Sequence, residues 1–147
     1  MSDLEAAYRA TTYEVGLPSG NAEIRIGRAH PEVDAFMARH LDPSLPQHWV
    51  HITAWNPGSR PLSFDENMAR NHALRERLDA MRSGRRCGHW CRGLGRSVDG
   101  SWEEEAFWVP GIALHEAMDL GRAFGQNAMV AGLVGERARL VWLYDGL

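Results

Sequence analysis

The chain has 147 residues, of which 44% are hydrophobic and 24% charged, with a net charge of -3. That length and balance suit one globular domain that buries a core without disulfides or metal, read as a single domain over residues 1–147. All 16 basic residues are arginine. The absence of lysine excludes Schiff-base and ordinary pyridoxal-phosphate chemistry, the P-loop lysine and the protein-kinase strand lysine.

The acidic balance disfavours a general nucleic-acid binder, which needs a basic face to displace counterions. No run approaches the roughly 18 apolar residues that span a bilayer, so no membrane partner is expected. The first residues, Met1-Ser2-Asp3-Leu4-Glu5, lack the basic patch and apolar stretch of a signal peptide. Two cysteines make no disulfide framework, which points to the reducing cytoplasm.

Taken in chain order, Thr11 to Leu17 and Ala22 to Ile26 read as a hairpin turned by Pro18-Ser19-Gly20-Asn21. His30-Pro31-Glu32 opens a helix whose buried stripe is Val33, Phe36, Met37, His40 and Leu41. Pro43 and Pro46 end it. Trp49 to Trp55 is the clearest strand, rich in aromatic and β-branched residues. The tight loop Asn56-Pro57-Gly58-Ser59-Arg60-Pro61 follows. Ser63 and Glu66 then form an S-x-x-E capping box, opening a helix from Phe64 to about Met81.

Cys87 to Leu94 and Glu105 to Val109 read as strands joined through the Asp99-Gly100 turn. Ile112 to Phe124 reads as a helix stopped by Gly125, and Met129 to Leu133 pairs with Leu140 to Tyr144 around Gly135. The order ββαβαββαββ predicts an α+β fold: a mixed, mostly antiparallel sheet with helices packed on a face. There is no repeat, low-complexity segment or linker.

The strand, Pro/Gly loop and capped helix from Thr53 to Asn71 form the leading candidate site. Free N–H groups and the dipole at a helix start favour anions. Gly58 allows close backbone approach and Arg60 adds a forked donor, but Ser63 and Glu66 already occupy some of those N–H groups. A well-made turn is the competing reading. Along the helix, Phe64, Met68, Leu74 and Leu78 define an apolar face into which Asn67 and Asn71 fall. Buried amides must be matched by partners, so these two either brace the loop or line a polar cavity, with Arg70 at the edge of the same face.

Thr53-Ala54-Trp55-Asn56-Pro57-Gly58-Ser59-Arg60-Pro61-Leu62-Ser63, followed by Glu66-Asn67 and Arg70-Asn71, resembles the signature of an uncharacterised bacterial family, domain of unknown function 3293. Supporting matches are Tyr8, Thr12-Tyr13, Trp102 with Glu104, and Phe124-Gly125-Gln126-Asn127, so the resemblance covers almost the whole chain. It implies a stand-alone small domain. It carries no known activity, ligand or catalytic residue.

Other constellations are weaker. Cys87, His89 and Cys91 would share one face of a strand, but C-x-x-x-C is not the usual close pair and a zinc site needs a fourth ligand. Neither a metal nor any cofactor is therefore expected. His51 shares a face with Thr53 and Trp55, which makes it the best-placed acid–base histidine and equally a satisfied core histidine. One of Glu103, Glu104 and Glu105 is a candidate buried carboxylate facing Arg60 or Arg70. Gln126 and Asn127 occupy a helix-to-strand corner, where amides commonly tie off carbonyls.

The expectation is a pocket for a polar or anionic small molecule, nucleotide-like or carboxylate, with a catalytic role open. Its candidate residues are Trp55, Asn56, Ser59, Arg60, Asn67, Arg70, Asn71, Glu104 and Gln126. The alternative is a non-catalytic interaction or regulatory module anchored by some of the six tryptophans. A third, disfavoured reading is single-strand nucleic-acid contact through Arg82, Arg85, Arg86, Arg92 and Arg96 with Trp90. The oligomeric state is not legible.

Overall fold

The computed structural model describes residues 1–144. Among these residues, seven strands form one antiparallel sheet, curled into a half-barrel. They are β1 (Thr12–Leu17), β2 (Gly20–Ile24), β3 (His48–Ile52), β4 (Cys91–Arg96), β5 (Glu103–Pro110), β6 (Ala128–Leu133) and β7 (Arg139–Trp142). Their spatial order is β2-β1-β4-β5-β3-β6-β7. The four helices are α1 (Asp3–Ala10), α2 (Pro31–His40), α3 (Phe64–Ser83) and α4 (Leu114–Ala123). Among the described residues, no helix is long and apolar enough to cross a membrane.

Strand alternation splits the core in two. Val50, Ile52, Phe107, Val109 and Ala131 point to the face covered by α3 and α4, where they meet Leu74, Leu78, Ala117 and Leu120. Tyr13, Val15, Trp49, Trp108 and Val130 point to the opposite face, where Val33 and Met37 of α2 join them. Helices therefore cover both sides of the sheet, α3 and α4 on one and α2 on the other.

The second face carries glycine where large rings come close to the strands. The Trp49 indole occupies the space a Cβ on Gly132 would need, and the His51 imidazole does the same above Gly93. Curling a sheet crowds its inner surface, and glycine there makes room for large rings.

The first helix was not expected from the sequence. Ser2 caps it, with the Ser2 hydroxyl accepting from Glu5 N–H at 3.1 Å. This is the same S-x-x-E spacing that announces α3. None of its residues is buried, so it lies over the molecule rather than inside it. It is tied down where it enters β1: Thr11 Oγ1 donates to Ala7 O at 2.7 Å and the Tyr13 hydroxyl donates to Tyr8 O at 3.1 Å.

Two other readings are corrected. Strand β4 begins at Cys91, so Cys87 and His89 precede it. Cys87 packs in the core beneath α3, while Cys91 joins the opposite core, and the expected shared face does not exist. Along α3, the buried positions are Asn67, Asn71, Leu74 and Leu78, whereas Phe64 and Met68 are exposed. The i, i+4, i+7, i+11 stripe starts with two amides rather than with apolar residues.

Candidate active site: a cavity beneath the first helix

The expected amides of α3 prove to be a brace for the chain that leaves β3. Asn71 Oδ1 accepts from Ala54 N–H at 2.8 Å, and its Nδ2 donates to Glu105 O at 2.8 Å. Asn67 Oδ1 accepts from Asn56 N–H at 2.8 Å, and its Nδ2 donates to Asn56 Oδ1 at 2.7 Å. Arg70 Nε donates to Ala54 O at 2.7 Å, and a terminal nitrogen reaches Phe124 O. These side chains replace the strand neighbours that residues 54–56 lack once β3 has ended.

The brace fixes an unusual backbone. Asn56 and Ser59 both adopt left-handed conformations, with φ of 44° and 62°. Asn56 Oδ1 also accepts from Leu62 N–H at 3.0 Å, and Gly58 N–H donates to Gly125 O at 2.8 Å. The loop is thus held against α3 on one side and the end of α4 on the other.

On the opposite side of this loop lies a cavity of about 600 Å³. Its floor is the inner face of the sheet, from Tyr13 across Gly95, Glu104 and Ala106 to His51, Ala128 and Val130. One wall is the loop: Trp55, Asn56, Ser59 and Pro61. A second is the β4–β5 turn with Ser97, Val98 and Trp102. Leu4, Ala7 and Tyr8 of α1 form the roof.

Five of the nine expected site residues therefore meet at one hollow: Trp55, Asn56, Ser59, Glu104 and Gln126. The other four do not line it. Asn67, Arg70 and Asn71 are consumed by the brace, and Arg60 is exposed beyond the loop. The capped start of α3 does not line it either: Glu66 N–H donates to Ser63 Oγ, and Ser63 N–H donates to the Glu66 carboxylate. Sequence reasoning missed Tyr8, Tyr13 and Trp102 as lining residues. The S-x-x-E signal at Ser2 and Glu5 marks the helix that carries Tyr8, whereas Tyr13 lies on the expected first strand, with nothing local to place it beside Glu104.

Glu104 is the polar centre of the hollow. It sits on β5 opposite Gly95, half-buried, and its Oε1 receives Asn56 Nδ2 at 3.4 Å. Burial pushes its carboxyl up to about 7, against which the Asn56 hydrogen bond acts only weakly. The expected arginine partner is absent: Arg70 lies on the other side of the loop, fastened to main-chain carbonyls. The Tyr8 phenol, hydrogen-bonded to Ser59, is raised chiefly by burial and then by Glu104, and Tyr13 is raised by burial and by Tyr8.

His51 is a buried neutral histidine. Its Nε2 donates to Glu14 O at 3.0 Å, which leaves Nδ1 as an acceptor. Burial lowers its pKa to about 4. Of the two groups, Glu104 rather than His51 is the one shifted toward neutrality.

The residues named for the interaction and nucleic-acid readings are spread over the molecule, and Arg82 and Arg85 are exposed. Trp49, Trp55 and Trp108 are buried, and Trp90 is held by Asp79 Oδ1 at 2.8 Å. Arg86, Arg92 and Arg96 are paired with Glu116, Glu105, and Glu14 with Glu23, respectively. Among the described residues no cluster of three histidine, cysteine or acidic side chains is placed to hold a metal ion.

The family model described as protein of unknown function (DUF3293) matches residues 52–129, and because this is more than half of the chain, the chain belongs to that family. The matched span holds the loop, α3 and Glu104, while Tyr8 and Tyr13 lie outside it. No curated protein and no solved structure matches the chain.

Proposed function

We propose that this DUF3293 member binds a small, largely apolar molecule in the cavity between α1 and the inner face of the sheet, with Glu104 as its polar anchor. One observation carries the reading: a half-buried carboxyl without a cationic partner stands in a hollow of about 600 Å³ walled by Tyr8, Tyr13, Trp55 and Trp102. That volume lies within the usual range for small-molecule sites, and such sites combine apolar walls with few polar groups. The lining has no arginine among the described residues, so an anionic ligand would meet Glu104 without a counter-charge. This turns the expectation away from nucleotides and carboxylates.

A second reading adds chemistry at the same place. A carboxyl poised near 7 is suited to take or return a proton at neutral pH. Substrate turnover would then depend on Glu104.

The test is binding of the neutral fluorescent probe N-phenyl-1-naphthylamine. A Cβ at Gly95 would have 3.8 Å to its nearest neighbour, on the Tyr13 ring, so Gly95→Leu grows into the hollow without forcing backbone apart. The wild type should bind the probe, and Gly95→Leu should lose it while keeping its circular dichroism spectrum. Probe fluorescence unchanged by the substitution defeats the reading.

A further inference from the structure

We propose that the occupant of this cavity is an organic ammonium, its charge set against Glu104 and its carbon skeleton against the aromatic walls. This rests on the cavity being a ligand site at all, and adds the chemical class.

The argument is an inventory of donors and acceptors. The Tyr13 hydroxyl gives its proton to Tyr8 O, so its lone pairs are what remain. Thr53 Oγ1 gives its proton to Glu105 O at 2.6 Å. Gln126 spends its amide N–H groups on Trp55 O and Phe124 O, at 3.1 and 3.4 Å. Asn127 Nδ2 donates to Ser59 Oγ at 3.0 Å. His51 donates through Nε2 to Glu14 O and keeps an unprotonated Nδ1. Each of these lining groups spends a donor within the protein and keeps accepting capacity toward a guest, while the indole N–H groups of Trp55 and Trp102 make no hydrogen bond among the described residues and remain as donors at the walls. The guest that satisfies those acceptors is a donor.

Charge selects the kind of donor. The chain pairs Glu14, Glu23, Glu105 and Glu116 with arginines, yet Glu104, flanked by paired or solvated carboxylates, receives only an amide at 3.4 Å. A carboxylate withdrawn from water needs a counter-charge or several hydrogen bonds. An ammonium supplies both, in a charge-assisted bond stronger than a neutral one. The faces of tyrosine and tryptophan add cation–π attraction for the same ion. Arginine is already abundant in the chain and is not used here, which leaves the position to a molecule from outside.

The experiment displaces bound N-phenyl-1-naphthylamine with three molecules of one shape: 2-phenylethylamine, 2-phenylethanol and phenylacetate, at about pH 8, where the amine is charged and Glu104 is ionised. The amine should displace the probe at about one-tenth the concentration the alcohol needs or less, and phenylacetate should be weakest. In Glu104→Gln, which keeps the shape of the side chain, the amine should lose that advantage while the alcohol is little affected.

Equal or better displacement by the alcohol or the acid overturns the ammonium assignment, as does failure of the amine to displace a bound probe. An amine advantage that survives Glu104→Gln also overturns it. In each case the cavity remains a binding site. Failure of the probe to bind the wild type removes the site itself, and the assignment with it.

Discussion

Asn67 clasps Asn56 with both ends of its side-chain amide: its Oδ1 accepts the main-chain N–H of Asn56 and its Nδ2 donates to the Asn56 side-chain oxygen, at 2.8 and 2.7 Å. The pair holds Asn56 in its left-handed conformation while Asn56 Nδ2 turns outward to Glu104. A helix amide that never lines the hollow thereby positions one that does. Asn67→Ala leaves the Asn56 N–H without a partner and removes one of the two donors to the Asn56 side-chain oxygen, which keeps Leu62 N–H, and should cost about 1–3 kcal/mol in urea denaturation. The cavity loop should become the first segment cut in limited proteolysis of the variant.

Arg70 joins the loop to the end of α4 through Ala54 O and Phe124 O. Lysine has one nitrogen where arginine has a planar fork, so it cannot reproduce both contacts. Arg70→Lys should lose about 1–3 kcal/mol of stability although charge is conserved. A variant as stable as the wild type in thermal and urea melts would show that the two contacts contribute nothing.

The pH dependence of stability has a definite sign. The Glu104 carboxyl is raised from 4.5 to about 7 in the folded chain. Its contribution is therefore fully present below about pH 4.5 and is lost as pH rises through about 7, because the unfolded chain ionises first. The histidines act oppositely: burial lowers His51, to about 4, and also His30 and His48, so their contribution is lost as pH falls. Comparison with Glu104→Gln isolates the carboxyl. From about pH 5 to about pH 8 the wild type should lose about 2–3 kcal/mol relative to the variant. A constant difference across that range would mean that Glu104 titrates normally.

Gly132 lies under the Trp49 ring so closely that an added Cβ would stand 2.3 Å from it. Trp49 is itself buried and packs near Trp108, with ring centroids 6.3 Å apart, so it has no free space to enter. Gly132→Ala should therefore destabilise by about 1–3 kcal/mol despite the better strand propensity of alanine. Differential scanning calorimetry checks the loss, and near-ultraviolet circular dichroism checks the displaced indole.

The roof of the cavity should be its least stable part. Helix α1 buries none of its residues and is fastened through Thr11, Tyr13 and the Tyr8 ring, which stands edge-on to Trp142 at 5.8 Å. Its amides should exchange with solvent through local opening, well before those of β3 and β5. Tyr13→Phe removes the hydroxyl bond to Tyr8 O, worth about 0.5–1.5 kcal/mol, and should speed that exchange several-fold without altering β3. Equal protection of α1 and β3 would contradict an opening roof.

Much of this molecule was legible residue by residue. Turn residues marked the β1–β2 hairpin, aromatic and β-branched content marked β3, proline opened α2, the Ser63–Glu66 box opened α3 and Gly125 closed α4, because each rests on interactions within a few residues along the chain. Asn67 and Asn71 stood out as amides in a buried stripe for the same local reason. Their use was not local: whether they brace a loop or line a hollow depends on where Ala54, Asn56 and Glu105 arrive, as many as 34 residues away. The pairing of Glu104 with Asn56, 48 residues apart, and the placing of Tyr8 above it, follow from the curl of the sheet. Periodicity tells which side of a strand a residue occupies. Only the closure of the sheet and the seat of α1 decide which of those residues share a space, since that contact is between surfaces brought together by packing and not by sequence neighbours.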